Sequence, residues 1–251
     1  MNSEQFKGTI EFIFGDLLTE FDEGEEYAFY EFGPKIINRI GYSTNITPEI
    51  IKQAAENNVD LIITHHDAWD FIFGMKEECH SLLKEHGIGH FFVHLPLDYA
   101  DFGTCYSLFK ALGINELIQK STHYKGRSLP GIGEFEIPLT FEEINGKMRS
   151  VLDEDVKSWK NSEKLIKRVG IITGAGNSTS NIRDALDAGC DVYITGEKTL
   201  YTLQYAQFVG MNLIVGSHTF TEIFGMSTLS EKLKEQFGYL DIINLKEEHI
   251  E

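Results

Sequence analysis

The chain lacks the cysteine pattern that staples or metallates a small fold. Its 251 residues include only 3 cysteines, Cys79, Cys105 and Cys190. They are far apart and form no Cys-x-x-Cys pair, so neither a disulfide framework nor a zinc ribbon is expected. Positive charge is also scarce: 22 Lys and Arg stand against 39 Asp and Glu, a net charge of −17. Phosphate backbones are held chiefly by cationic patches, so no nucleic-acid partner is expected. No run approaches the roughly 18 apolar residues of a membrane span, and no membrane partner is expected. Met1 to Gly8 is polar and shows no basic region leading into a signal-like apolar stretch, so the expected location is cytoplasmic. Three common catalytic signatures are missing. The loop Gly174–Ala175–Gly176 is followed neither by a third glycine at dinucleotide-fold spacing nor by Lys-Ser/Thr, and no Gly-x-Ser-x-Gly elbow occurs. The small residues of that loop still leave room for backbone N–H groups to approach an anion.

What is present is a globular composition, 42% hydrophobic and 12% aromatic, on a chain long enough for one large domain or two modest ones. The acidic runs Glu20–Glu26 and Glu247–Glu251 read as solvated surface. Helix and strand alternate, which implies an α/β fold of parallel strands with helical crossovers. Thr47–Asn57 reads as a helix with Thr47 as N-cap, Pro48 in the first turn and Glu49 as first-turn acidity. The strand Val59–Thr64 follows, then a helical Ser81–His86 ending at Gly87. The apolar run His90–His94 and a helix Asp101–Leu112 closed by Gly113 come next. The second half repeats the plan: strand Arg168–Thr173, helix Asn181–Asp187, strand Asp191–Thr195, helix Leu200–Phe208, strand Asn212–Val215 and a long helix His218–Phe237. The stretch from Lys120 to Leu165 reads as irregular. The expected division is therefore 1–120, an N-terminal α/β lobe, and 121–251, a C-terminal one.

The halves also resemble each other. Ala55–His66 lies over Leu186–Glu197, with Asp60 on Asp191 and Thr64 on Thr195. An internal repeat predicts this correspondence; so does the general likeness of helix–turn–strand units in any α/β protein.

Metal-ligand-type residues stand at the ends of these strands, where open α/β sheets bind ligands. His65 and His66 follow the first, Asp98 follows the His90–His94 run, and His218 follows the last strand, with Glu222 one helical turn on. His218 and Glu222 share a helix face. Adjacent residues of a regular strand point to opposite faces, so His65 and His66 reach one cluster only if the strand ends there. Three histidines and two carboxylates exceed one four-coordinate ion and suit two divalent ions. The mixed nitrogen and oxygen donors, without thiolate, suit zinc, iron, manganese, cobalt or nickel. His94 is a ligand, a partner that orients a ligand, or a proton shuttle; the latter two are favoured, and it is the catalytic candidate. Glu197 either borders the site or forms a surface ion pair with Lys198. Trp69 and Tyr99 flank the ligand segments and either shape a pocket or simply pack.

Together Thr47–His66 (TPEIIKQAAENNVDLIITHH), His94–Asp98 (HLPLD), Gly131–Glu143 (GIGEFEIPLTFEE), Arg168–Glu197 and Gly216–Glu222 (GSHTFTE) resemble the Nif-three-like family of dinuclear-metal-centre proteins, also known as homologues of a type 2 GTP cyclohydrolase I. The resemblance implies metal ligands at His65, His66, Asp98, His218 and Glu222. It implies two α/β lobes with the metals in the cleft between them, and a ring-shaped homohexamer. The chain departs from the family in three places. Asp67 stands where a proline is common, Gly41–Asn45 replaces an Ala-x-Asp segment, and the N-terminal stretch lacks an Asp-Asn-x-Gly. The activity expected is that of a metal-dependent hydrolase, such as a cyclohydrolase, acting on an anionic and nucleotide-like small molecule. The alternatives are a non-catalytic metal-binding or regulatory adaptor and an interaction protein with a vestigial site.

Overall fold

The computed structural model describes residues 1–124 and 127–250, with Tyr124 described by its backbone alone. Glu251, the end of the acidic tail, lies outside the described residues, as do positions 125 and 126. The chain divides into two compact units, Met1–Phe102 with Met226–Glu248, and Gly103–Gly225 with His249–Glu251. The break falls earlier than residue 120, and a C-terminal segment returns to the first unit.

In the first unit α1 (Ser3–Phe14) leads to β1 (Tyr27–Tyr30), β2 (Arg39–Ser43), α2 (Pro48–Glu56), β3 (Leu61–Thr64), α3 (Met75–His86), β4 (Gly89–Val93) and the short α4 (Leu95–Tyr99). Thr47 caps α2 through its side chain, which accepts from Ile50 N, and Gly87 closes α3 in the left-handed conformation. The second unit runs α5 (Thr104–Ala111), β5 (Leu117–Gln119), β6 (Thr122–Tyr124), β7 (Arg127–Leu129), β8 (Gly131–Leu139), α6 (Phe141–Leu152), β9 (Lys157–Trp159), β10 (Ile166–Ile172), α7 (Thr179–Asp187), β11 (Val192–Thr195), α8 (Leu200–Val209), β12 (Asn212–Val215) and α9 (His218–Gln236). From Met226 the chain of α9 belongs to the first unit, and β13 (Asp241–Asn244) completes it.

Two expectations are corrected here. The stretch from Lys120 to Leu165 is, in its described residues, mostly regular, with β6, β7, β8, α6 and β9 in it. Thr140 caps α6 in a reciprocal capping box with Glu143. Strand β8 is disguised by glycines that its packing requires: a Cβ on Gly133 would sit 2.7 Å from the Ile114 side chain and 3.1 Å from Phe109. The helix expected from Asp101 starts only at Thr104, because Leu95–Tyr99 forms a turn of its own and Gly103 is extended.

Among the described residues, the first unit's sheet has the order β1-β4-β3-β2-β13, and the second's has β5-β8-β10-β11-β12-β9. Strands β2, β3 and β4 are parallel, with β1 antiparallel on β4. Strands β10, β11 and β12 are likewise parallel, with β9 antiparallel on β12. The order helix, edge strand, then β-α-β-α-β, then helix therefore occurs in both units. The likeness extends to single bonds. Asp60 Oδ2 accepts from Asn38 N and Arg39 N, and Asp191 Oδ2 accepts from Lys167 N and Arg168 N. Asn58 and Gly189, one overlaid on the other, both have positive φ. In the first unit Ile50, Ile51, Ile62, Leu83, Ile88 and Leu245 pack together; in the second Phe109, Ile144, Met148, Val169 and Ile194 do.

Candidate metal centre

Strands β3 and β4 are parallel and in register, Thr64 opposite Phe92, so the residues that follow them leave the sheet at the same edge. Ladder pairing stops abruptly after Thr64. The Thr44 carbonyl accepts from both His65 N (3.0 Å) and His66 N (2.9 Å). One acceptor for two successive donors pinches the chain out of strand geometry and defeats the usual alternation. Both rings consequently lie together, centroids 4.5 Å apart, with the His94 ring 5.1 Å from His65 and 5.4 Å from His66. One ligand atom from each of the three lies within 4.8 Å of the others, so this cluster can hold a metal ion.

Hydrogen bonds set the tautomers. His65 Nδ1 lies 3.0 Å from Val93 O, and a carbonyl can only accept, so Nδ1 carries the proton. His66 Nδ1 lies 2.8 Å from Asn45 Oδ1. His94 Nδ1 lies 2.8 Å from Glu26 Oε2; that bond outweighs burial and holds the Glu26 carboxyl below its ordinary range. With each Nδ1 donating to an oxygen, each neutral ring keeps its lone pair on Nε2, the arrangement metal-binding histidines need. Asp98 stands in α4, 8% exposed, with Oδ1 3.5 Å from His65 Nε2. Two electron-rich atoms that face each other in a buried place call for a cation, a proton or a metal ion, between them.

In the second unit His218 Nε2 lies 3.3 Å from Glu222 Oε2, one turn on along α9. His218 Nδ1 lies 2.7 Å from Glu197 Oε1, and Asn177 donates to the other oxygen of that carboxylate. Burial opposes a charge on His218, but Glu222 and Glu197 override it and push the imidazolium pKa up to about 11. A divalent ion can replace that Nε2 proton. Space is kept for it by glycine. A Cβ on Gly174, whose φ is +62°, would lie 2.1 Å from Glu222 Oε1 and 2.8 Å from His218 Nε2. The donor set and this glycine cradle both fit a metal.

Glu197 thus points at His218 and Asn177. The anion reading of the glycine loop is corrected: Gly174 N donates to Thr221 Oγ1 and Gly176 N to Thr195 Oγ1. Glu26, Asn45 and Glu247 are participants that sequence reasoning missed. The first and last belong to acidic runs read as solvated, and only strand pairing reveals their partners. The Trp69 ring lies 4.6 Å from that of His66, tilted by 41°.

Two α/β units whose strand-end histidines and carboxylates can hold metal define the class. Residues 33–249 match the Duf34/NIF3 (NGG1p interacting factor 3) family, and the chain belongs to it. Similar curated proteins, each called "GTP cyclohydrolase 1 type 2 homolog", come from Haemophilus influenzae and Pyrococcus horikoshii. The first is 30% identical over 216 residues, 82% of this chain and 84% of its own; the second is 30% identical over 215, 82% and 83%. The fold is shared with a solved structure described as protein ybgI of unknown function, with a TM-score of 0.84 at 22% identity and 99% of each chain covered.

Proposed function

We propose that this chain is a dinuclear divalent-metal protein that hydrolyses an anionic, nucleotide-like small molecule. His65, His66, Asp98, His218 and Glu222 would supply the ligands, and six chains would form a ring. The observation that carries the reading is the pair His65 and His66, each with Nδ1 donating to an oxygen so that Nε2 keeps the lone pair a cation needs. The name of the relatives, a GTP cyclohydrolase homologue, supports a nucleotide-like substrate. Bound dications would lower the pKa of a water and polarise the bond under attack. His94, whose Nδ1 bonds the Glu26 carboxylate, would take up and return a proton, and Glu26 would steady the ring while it is charged.

A second reading, a non-catalytic metal carrier or regulator, is favoured by the depth of the ligands. His65 is 0% and His66 2% exposed, and a closed shell suits a structural ion. Elemental mass spectrometry on the native chain and on His218→Ala decides the first point. About two ions per chain, falling sharply in the variant, is the expected result; a value near zero that added metal does not restore overturns it. Turnover of GTP or related phosphorylated heterocycles by the loaded protein then separates enzyme from carrier.

A further inference from the structure

We infer that Glu247, near the far end of the chain, sets the tautomer of His66 through Asn45 and so acts as a positioning residue for the metal centre. This rests on the reading of His66 as a ligand. Strand β13 pairs in parallel with β2, Asn244 opposite Tyr42, and Leu245 N donates to Tyr42 O at 2.8 Å. Leu245 packs against Gly41 so closely that a Cβ there would lie 2.6 Å from it. This register carries Glu247 to the loop after β2. Its Oε2 accepts from Thr44 N at 2.7 Å, and its Oε1 accepts from Asn45 N at 3.2 Å and from Asn45 Nδ2 at 2.7 Å.

A carboxylate has no proton to give, so Asn45 must turn its amide nitrogen toward Glu247 and its oxygen toward His66. That oxygen, 2.8 Å from His66 Nδ1, can only accept. His66 therefore carries its proton on Nδ1 and offers Nε2 as a lone pair. The same loop holds the backbone of both histidines through Thr44 O. One carboxylate thus governs where the two rings sit and which nitrogen of His66 carries the proton.

Glutamine at 247 presents one acceptor and one donor to three donors. Either way round, the glutamine leaves one backbone N–H without its acceptor; keeping the shorter bond, Thr44 N at 2.7 Å rather than Asn45 N at 3.2 Å, sets the glutamine nitrogen against Asn45, whose amide rotates to accept from it and turns its own nitrogen to His66. Nδ1 must then accept, the proton moves to Nε2, and the ligand is lost. An aspartate at 45 would accept from both the glutamine and His66, restoring the original tautomer.

The test compares wild type, Glu247→Gln and the double variant Asn45→Asp with Glu247→Gln. Long-range nitrogen–proton NMR of the metal-free proteins reads the His66 tautomer, and chelator competition with zinc chloride reads affinity. Expected are Nδ1–H in the wild type, Nε2–H with zinc bound about 10–100-fold more weakly in the single variant, and recovery of both in the double. An unchanged tautomer in Glu247→Gln, or a double variant no better than the single, overturns the inference. A tautomer that switches as stated in a protein that binds no zinc would sink the metal reading and leave the Glu247–Asn45–His66 link standing. Should Glu247→Gln fail to fold, Asn45→Ala reads the same link through zinc affinity, and an unchanged affinity there overturns it.

Discussion

His90 is fully buried in β4, and its neighbours decide its charge. Thr64 Oγ1 donates its only proton to His66 O at 2.7 Å, so His90 Nε2, 2.8 Å away, must be the donor to that hydroxyl. The other nitrogen is then a buried lone pair, 3.9 Å from Asp67 Oδ1. Burial outweighs the pull of Asp67 and lowers the His90 pKa from 6.5 to about 4. Above pH 6.5 the ring is neutral whether the chain is folded or not. Between 6.5 and 4 only the unfolded chain takes up the proton, so stability falls with pH, and below 4 this contribution stops changing. A shift from 6.5 to about 4 is worth on the order of 3 kcal/mol. His90→Gln should flatten the fall in melting temperature across that window; an identical slope in the two proteins would contradict the buried neutral state.

At the level of the element, the two strand–helix repeats make the same bond with Asp60 and Asp191. Each carboxylate closes the turn before its strand by accepting two backbone N–H groups of the preceding strand. Alanine at either position should cost a similar amount, about 1–3 kcal/mol, by orphaning those donors. Thermal melts of the two single variants check this, and a large loss in one with none in the other would mean the turns are not equivalent. Most of these elements are legible locally. The Thr47 cap, Pro48 at N1, the left-handed Gly87 and the apolar β3 and β12 need no distant partner to be recognised. Strand β8 hides because its glycines answer to Phe109 and Ile114, which arrive from elsewhere in the chain.

For the whole molecule, charge bears on the proposed ring. Each chain carries −17, so six chains repel one another wherever salt is too dilute to screen them. The Debye length is about 30 Å at 0.01 M salt and about 8 Å at 0.15 M. Light scattering should therefore report six chain masses near 0.15 M salt and smaller species near 0.01 M. A single-chain mass at every ionic strength and micromolar concentration would rule the ring out. No helix among the described residues is long and apolar enough to cross a membrane.

The residue types and spacings alone singled out His65, His66, His94, Asp98, His218 and Glu222 as candidates, because metal-type side chains at strand ends are a local pattern. They did not identify the groups that orient those side chains. Glu26 reaches His94 across 68 residues, and Glu247 reaches Asn45 across 202. Neither pairing leaves a periodic trace, and each glutamate sits in an acidic run that reads as solvated surface. Strand register decides these contacts: β1 on β4 puts Tyr27 opposite Val93, and β13 on β2 puts Asn244 opposite Tyr42. Register is set by which strands share a sheet, and that is a property of the folded chain.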